Sequence, residues 1–188
     1  MCKLGSGFRC SLIVTMVSAG ALAQPGAPAH ADGLASDNEA YTLWFLHHAD
    51  YEEFAAGQLA LVNAGSEQVK AFGKALVKDQ HVTSQKVLAA ARKLKVDLEP
   101  HLTGGDRIRM DRIKAKLENL KSLKGKRFDD FFTSLMAQEH QKVTEVVTEA
   151  LQDPKQENIK ELLQELLPRI EAHAKTARLL AGNSEAAQ

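Results

Sequence analysis

Four side chains that can bind a metal ion are spread along the sequence, one in each of four amphipathic stretches: Glu53, His81, His140 and His173. A carboxylate and three imidazoles suit one borderline divalent ion such as Fe, Mn, Zn or Cu, with a coordination position left open for water. Burying such groups is unfavourable unless they pair or hold an ion. We therefore predict that the four meet in a helical core, either as metal ligands or as a hydrogen-bonded cluster without an ion.

Helical periodicity places these residues differently with respect to the apolar faces. On a helical wheel, Glu53 falls among small apolar residues, and His173 falls on an apolar stripe of its own helix. His81 and His140 lie at the margins of their stripes, from which they can reach the core or the rim. The neighbouring His47 and His48 diverge on a helix, so we expect both at the surface.

Capping signals and apolar periodicity predict the elements that must position the four side chains. Ser36 followed by Glu39 is a capping box, and Ser66 is a second N-cap. No segment shows the alternation of a strand. The predicted helices cover 36–63, 66–94, 106–123, 128–151 and 154–181. Two long helices, a long connection and two more long helices indicate an all-α, ferritin-like four-helix bundle with one long, partly helical crossover connection.

An internal similarity links the second and fourth predicted helices. The residues Phe72, Leu76, Val77, Gln80 and His81 recur with the same spacing as Phe131, Leu135, Met136, Glu139 and His140. We interpret this as two related helical hairpins, in which the two histidines are equivalent.

The start of the chain resembles a secretory signal. Residues 1–23 combine a basic start, an apolar stretch too short to span a bilayer and an Ala-Leu-Ala cleavage site, with a second candidate site at 31. We expect a flexible linker over 24–35, the bundle over 36–182 and a flexible tail over 183–188. Both cysteines precede residue 24, so no thiol remains to bind metal. A periplasmic location fits these features.

Charge limits the classes of partner. The chain has 24 basic and 24 acidic residues, so it lacks the basic excess of a nucleic-acid-binding protein. No membrane span is predicted. The segment 106–123 is locally basic, which is typical of a solvated connector and less often of a patch for an anionic partner. A homodimer or an envelope protein partner remains open.

Several runs of the sequence together resemble the bacterial exported family known as domain of unknown function 4142. They are Phe45 to Glu53, Gly57 to Ala60, Val69 to His81, Phe128-Asp129, His140, and Leu167-Pro168 with His173. The resemblance covers about 37–181 and implies a ferritin-like bundle without an established activity. Di-iron bundles of that fold place a Glu three residues before each site His, whereas this chain has Lys78, Ala137 and Ile170 there, which argues against a di-iron site.

Three functions remain open from the sequence. The first is an exported metal-binding bundle, for storage, sensing or stress protection. The second is a structural or interaction module of the cell envelope, in which the Glu and His residues form only a hydrogen-bonded core network. The third is an enzyme with a mononuclear ion. The sequence contains no nucleophile paired with a base, so no catalytic residue is assigned.

Overall fold

A computed structural model of the chain describes residues 35–99 and 104–186. These ranges contain five α-helices: α1 (Asp37–Asn63), α2 (Glu67–Leu94), α3 (Gly104–Ser122), α4 (Gly125–Ala150) and α5 (Glu157–Ala186). The described residues form no β-strand, only an isolated bridge between Ala64 and Gly125. The all-α prediction is confirmed, and α3 supplies the helical part of the crossover connection. The predicted signal peptide and all of the predicted linker except Ala35 lie outside the described residues.

The four long helices form two hairpins. The α1 helix packs along α2 and α4 packs along α5, while contacts of α1 with α4 and of α2 with α5 join the hairpins. The α3 helix packs mainly against α1. None of the helices described combines the length and the apolar character needed to cross a membrane.

Local chemistry sets the helix ends. Ser36 and Glu39 form the predicted capping box, and the Ser66 hydroxyl accepts the Val69 N–H. The α5 helix continues to Ala186, past the predicted end at 181, because an exposed glycine such as Gly182 weakens a helix without preventing it.

Each hairpin contributes one carboxylate that binds the loop of the other hairpin. Asp129 at the start of α4 accepts the N–H groups of Gly65 and Ser66 at 2.9 and 2.8 Å. Glu39 at the start of α1 accepts those of Lys155 and Gln156 at 3.0 and 2.7 Å. The loops at the two ends of the bundle are therefore held by side chains that the other hairpin provides.

The α1 and α2 helices approach closely one turn beyond Glu53. A Cβ atom placed on Gly57 would lie 2.8 Å from the Gly73 carbonyl oxygen, and one placed on Gly73 would lie 2.5 Å from the Ala60 Cβ. Only glycine permits this backbone contact.

The core consists of two apolar clusters with a polar layer between them. On α1, for example, Ala49 belongs to the first cluster and Ala56 to the second, and Glu53 lies between them. On α2, α4 and α5, too, polar residues separate the two apolar clusters at this level of the bundle. The polar layer brings together the residues that the sequence singled out.

Candidate metal centre

Three of the four predicted ligands converge in the polar layer. Glu53 on α1, His140 on α4 and His173 on α5 each offer a ligand atom, and these atoms lie within 4.8 Å of one another. The three residues are 3%, 0% and 8% exposed, respectively. A carboxylate and two imidazoles from three helices therefore face a common point that is shielded from solvent.

The hydrogen bond on one side of the His140 ring determines what the other side can do. Its Nδ1 lies 2.8 Å from the Met136 carbonyl oxygen, to which it donates. In the neutral ring, Nε2 then carries a lone pair, and this atom lies 3.3 Å from Glu53 Oε2 without a hydrogen-bond partner of good geometry among the described residues. A nitrogen lone pair facing a carboxylate requires a proton or a metal ion between the two atoms.

The environment of His140 favours positive charge. Burial opposes protonation of the ring, but the Glu53 carboxylate and the Met136 carbonyl outweigh it and raise the His140 pKa above its ordinary value. A metal ion bound to Nε2 would be stabilised by the same negative electrostatic potential that favours the proton there.

His173 is oriented by a carboxylate at the edge of the site. Its Nε2 lies 3.1 Å from Asp79 Oδ2, so this nitrogen carries the donated hydrogen and Nδ1 carries the lone pair. Burial and the neighbouring His140 lower the His173 pKa, despite the opposing effect of Glu53 and Asp79. A carboxylate that fixes the tautomer of a ligand histidine is the usual outer partner in protein metal sites.

The structure does not bring the fourth predicted ligand, His81, into the cluster. Its ring is exposed and lies 3.3 Å from the Gln85 side-chain nitrogen. The preceding residue, Gln80, is buried and donates its amide N–H to Glu53 Oε2. One residue corresponds to about 100° around a helix, so a marginal position on the wheel can turn to either side. The predicted equivalence of His81 and His140 is therefore wrong.

A cavity beside Glu53 and His173, called here the inner cavity, has room for one small species, and His140 is not among the residues that line it. Its volume is about 20 Å³, close to what one water or ion occupies. Paired metal ions lie roughly 3.5–4 Å apart and need more space, in agreement with the missing di-iron glutamates. The lining residues are Leu46, Ala49, Asp50, Glu53, Gln80, Thr83, Val143, Leu166, Arg169, Ile170 and His173.

Sequence reasoning missed three polar residues around the centre: Asp50, Asp79 and Gln80. Asp50 lies one turn before Glu53 on the same helix face and is 6% exposed. Burial and the nearby Glu53 raise its pKa well above the ordinary value. The sequence signal that could have identified Asp50 is its position three residues before Glu53, which places both side chains on one face of the helix.

Of the two adjacent histidines His47 and His48, the second differs from expectation. His48 is buried and packs on Trp44 with ring centroids 4.8 Å apart, so its predicted surface position is wrong. The His47 side chain is 24% exposed and lies 3.6 Å from Glu99. His48 is buried because the aromatic ring of Trp44, one turn earlier on the helix, covers it.

A second charged group lies behind the centre, under the crossover helix. Glu52 and Glu139, the chain neighbours of Glu53 and His140, are 1% and 2% exposed. Lys116 of α3 bonds Glu139 and lies 3.9 Å from Glu52. Arg109, also of α3, lies 4.0 Å from Glu139 and 4.0 Å above the Phe45 ring. These two residues of the basic segment are therefore not simply solvated, because both lie against buried carboxylates and Lys116 pairs with Glu139.

Comparison with known proteins places the chain in a family. Residues 23–180 match the family described as Domain of unknown function (DUF4142). No curated protein matches. Among solved structures, a DUF305 fragment from Deinococcus radiodurans aligns with a TM-score of 0.69 at 13% identity, covering 80% of this chain and 99% of that one. A DUF305 protein from Streptomyces coelicolor aligns with a TM-score of 0.66 at 11% identity, covering 79% and 94%. At these identities the two structures support the fold alone, whereas the sequence match shows that the chain belongs to the DUF4142 family.

Proposed function

We propose that this protein binds a single divalent metal ion through Glu53, His140 and His173. The observation that carries the proposal is the 3.3 Å approach of the His140 Nε2 lone pair to Glu53 inside a cluster of three ligand atoms. Asp79 and the Met136 carbonyl fix the tautomers of the two histidines so that each ring has one nitrogen left for the ion.

The donor set narrows the choice of ion. One carboxylate and two imidazoles match Zn, Fe(II), Mn or Cu better than Ca or Mg, which prefer oxygen ligands. Three protein ligands leave a position for water, but the proposal assigns binding and no reaction. Storage, sensing and protection against oxidative stress are the roles compatible with it.

A second candidate function has an observation in its favour. The raised His140 pKa means that a proton can take the place of the metal, giving an imidazolium–carboxylate pair in the core. The protein would then be a structural or interaction module of the envelope, and the Glu and His residues would fix the register of the helices.

Metal analysis of ligand variants separates these candidates. The full-length chain is expressed, the protein is purified from the periplasmic fraction, and its metal content and its binding of Zn²⁺, Mn²⁺, Cu²⁺ and anaerobic Fe²⁺ are measured. We expect one ion per chain, and binding weakened at least about 100-fold in Glu53→Gln and His173→Ala, because even losing a group that only orients a ligand typically weakens binding by about 10- to 100-fold. His81→Ala is the matched control and should retain the ion, because its ring lies outside the cluster. Absence of stoichiometric binding with all four metals would favour the structural module.

We further propose that the protein is exported to the periplasm with cleavage after residue 23 or 31. The basic start and short apolar stretch of the sequence support this. Mass spectrometry of the periplasmic protein should find Gln24 or Asp32 at the N-terminus, and an intact chain in the cytoplasmic fraction would contradict export.

A further inference from the structure

A pocket between α1 and α2, called here the access pocket, adjoins the inner cavity. Its volume is about 230 Å³, and its lining residues are His47, Asp50, Tyr51, Phe54, Gln80, His81 and Ser84. Asp50 and Gln80 line both this pocket and the inner cavity. These two side chains form the partition between solvent and the candidate centre.

We propose that the metal ion reaches the centre through the access pocket and across the Asp50–Gln80 partition. The inference rests on the proposed metal binding and adds the route and the residues that line it. It also assigns a role to Asp50, which belongs to neither the ligand set nor the apolar core.

Each side chain of the partition presents an oxygen without a partner. Asp50 Oδ2 and Gln80 Oε1 are buried and make no hydrogen bond to any residue that the structure describes. A buried acceptor left unpaired typically costs about 1–3 kcal/mol, and such groups in native proteins need an explanation. Oxygens that a cation contacts in passage would explain both.

The charges around the centre favour this side of the bundle over the opposite one. Among the residues that the structure describes, no lysine or arginine lines the access pocket, whereas Arg169 lines the inner cavity on the α5 side. On the α3 side, Lys116 and Arg109 lie over Glu52 and Glu139 and would repel an approaching cation. An approaching cation is therefore repelled less on the side of the access pocket.

Blocking the access pocket tests the route. Cleavage after residue 23 or 31 would remove Cys2 and Cys10, so in the processed protein Ser84→Cys introduces a single thiol at the pocket, which is then alkylated with a bulky maleimide. Ser134→Cys, labelled identically, is the control, because Ser134 is exposed on α4 and lines no pocket described for this protein. Zn²⁺ uptake, and its release to a fluorescent chelator, are followed by stopped flow.

The route predicts that the Ser84 label slows uptake and release by the same factor, about tenfold or more, with one Zn²⁺ still bound at equilibrium. A blocked passage changes both rates equally and leaves the affinity unchanged. Equal uptake rates in the two labelled proteins would overturn the route. Loss of equilibrium binding in the unlabelled wild type would instead overturn the proposed metal site, so the two failures are distinguishable.

Substitution of the partition provides a second measurement. Asp50→Asn keeps the size of the side chain but replaces one carboxyl oxygen with an amide nitrogen, which cannot contact a cation, so we expect Zn²⁺ uptake to slow by about tenfold. Thermal unfolding of the variant shows whether it remains folded. Uptake at the wild-type rate in the folded variant would contradict the role of the Asp50 carboxylate.

Discussion

At the scale of single residues, the Glu53–His140 pair links protonation to folding. The His140 pKa is raised in the folded protein, against burial, chiefly by Glu53. A histidine with a raised folded pKa stabilises the protein fully below its unfolded value, near 6.5, and loses that contribution as the pH rises through the folded pKa. Glu139 also raises the His140 pKa, and His140 in turn lowers the pKa of His173.

The pair therefore predicts a pH-dependent difference between the metal-free wild type and Glu53→Gln. The free energy of unfolding of the wild type should exceed that of the variant more at about pH 6 than at about pH 9, because the protonated ring is stabilised by Glu53 only in the wild type. Chemical denaturation in the presence of a chelator measures the difference. A difference that grows with pH would contradict the account of His140.

The second buried carboxylate gives an independent prediction. Burial, followed by the charge of Glu139, raises the Glu52 pKa from 4.5 to about 7, although Lys116 and Arg109 oppose the shift. A raised folded pKa makes the ionised carboxylate destabilising, and the penalty develops as the pH rises from about 4.5 through 7.

Glu52→Gln should consequently stabilise the protein at about pH 8 by up to roughly 3 kcal/mol and have little effect at about pH 4. Glu118→Gln, on the exposed face of α3, is a control that should show no comparable gain. The measurement is urea denaturation at both pH values. Destabilisation at pH 8 would show that Glu52 is ionised and held by Lys116.

Sequence reasoning reached Glu53 and His173 because both lie centrally on apolar stripes, where the direction of a side chain is unambiguous. It failed at His81, since a residue at the margin of a stripe is decided by small helix rotations that only packing sets. Asp79 and Gln80 contact the centre through tertiary geometry, which periodicity along one helix does not contain.

At the scale of helices, the close contact of α1 with α2 positions Glu53 against Gln80. Gly73→Ala should lower the free energy of unfolding by about 1–2 kcal/mol, since overpacking costs about 1–3 kcal/mol and the better helix propensity of alanine returns up to about 1 kcal/mol. The added methyl would meet the Ala60 side chain and the Gly57 carbonyl. Gly182→Ala is the matched control, because no atom in the described part of the chain lies within 4 Å of its Cβ, and it should leave stability unchanged or raise it.

Thermal and chemical denaturation of the two glycine variants measure this difference. Equal stability of Gly73→Ala and Gly182→Ala would show that the α1–α2 contact is not tight.

The bounds of α1 and α2 were predictable to within a residue or two because Ser36 and Ser66 cap them, whereas the start of α5 at Glu157 was placed too early from Pro154.

At the scale of the whole molecule, four helices place one polar layer between two apolar clusters and divide its surroundings by charge. Lysine and arginine of α3 cover the side of Glu52 and Glu139, and the access pocket opens on the side of α1 and α2. The bundle and its crossover could be predicted from the helix lengths and loop positions. The side of the bundle that α3 covers could not be predicted, because local sequence patterns carry no information on how a connection packs over a bundle.

Anomalous diffraction from crystals grown with Zn²⁺ tests the central claim most directly. Data collected on either side of the zinc edge should show one strong peak in the polar layer, about 2.0–2.2 Å from ligand atoms of Glu53, His140 and His173. Zinc found only at exposed histidines such as His81, with none between those three side chains, would contradict the proposed centre.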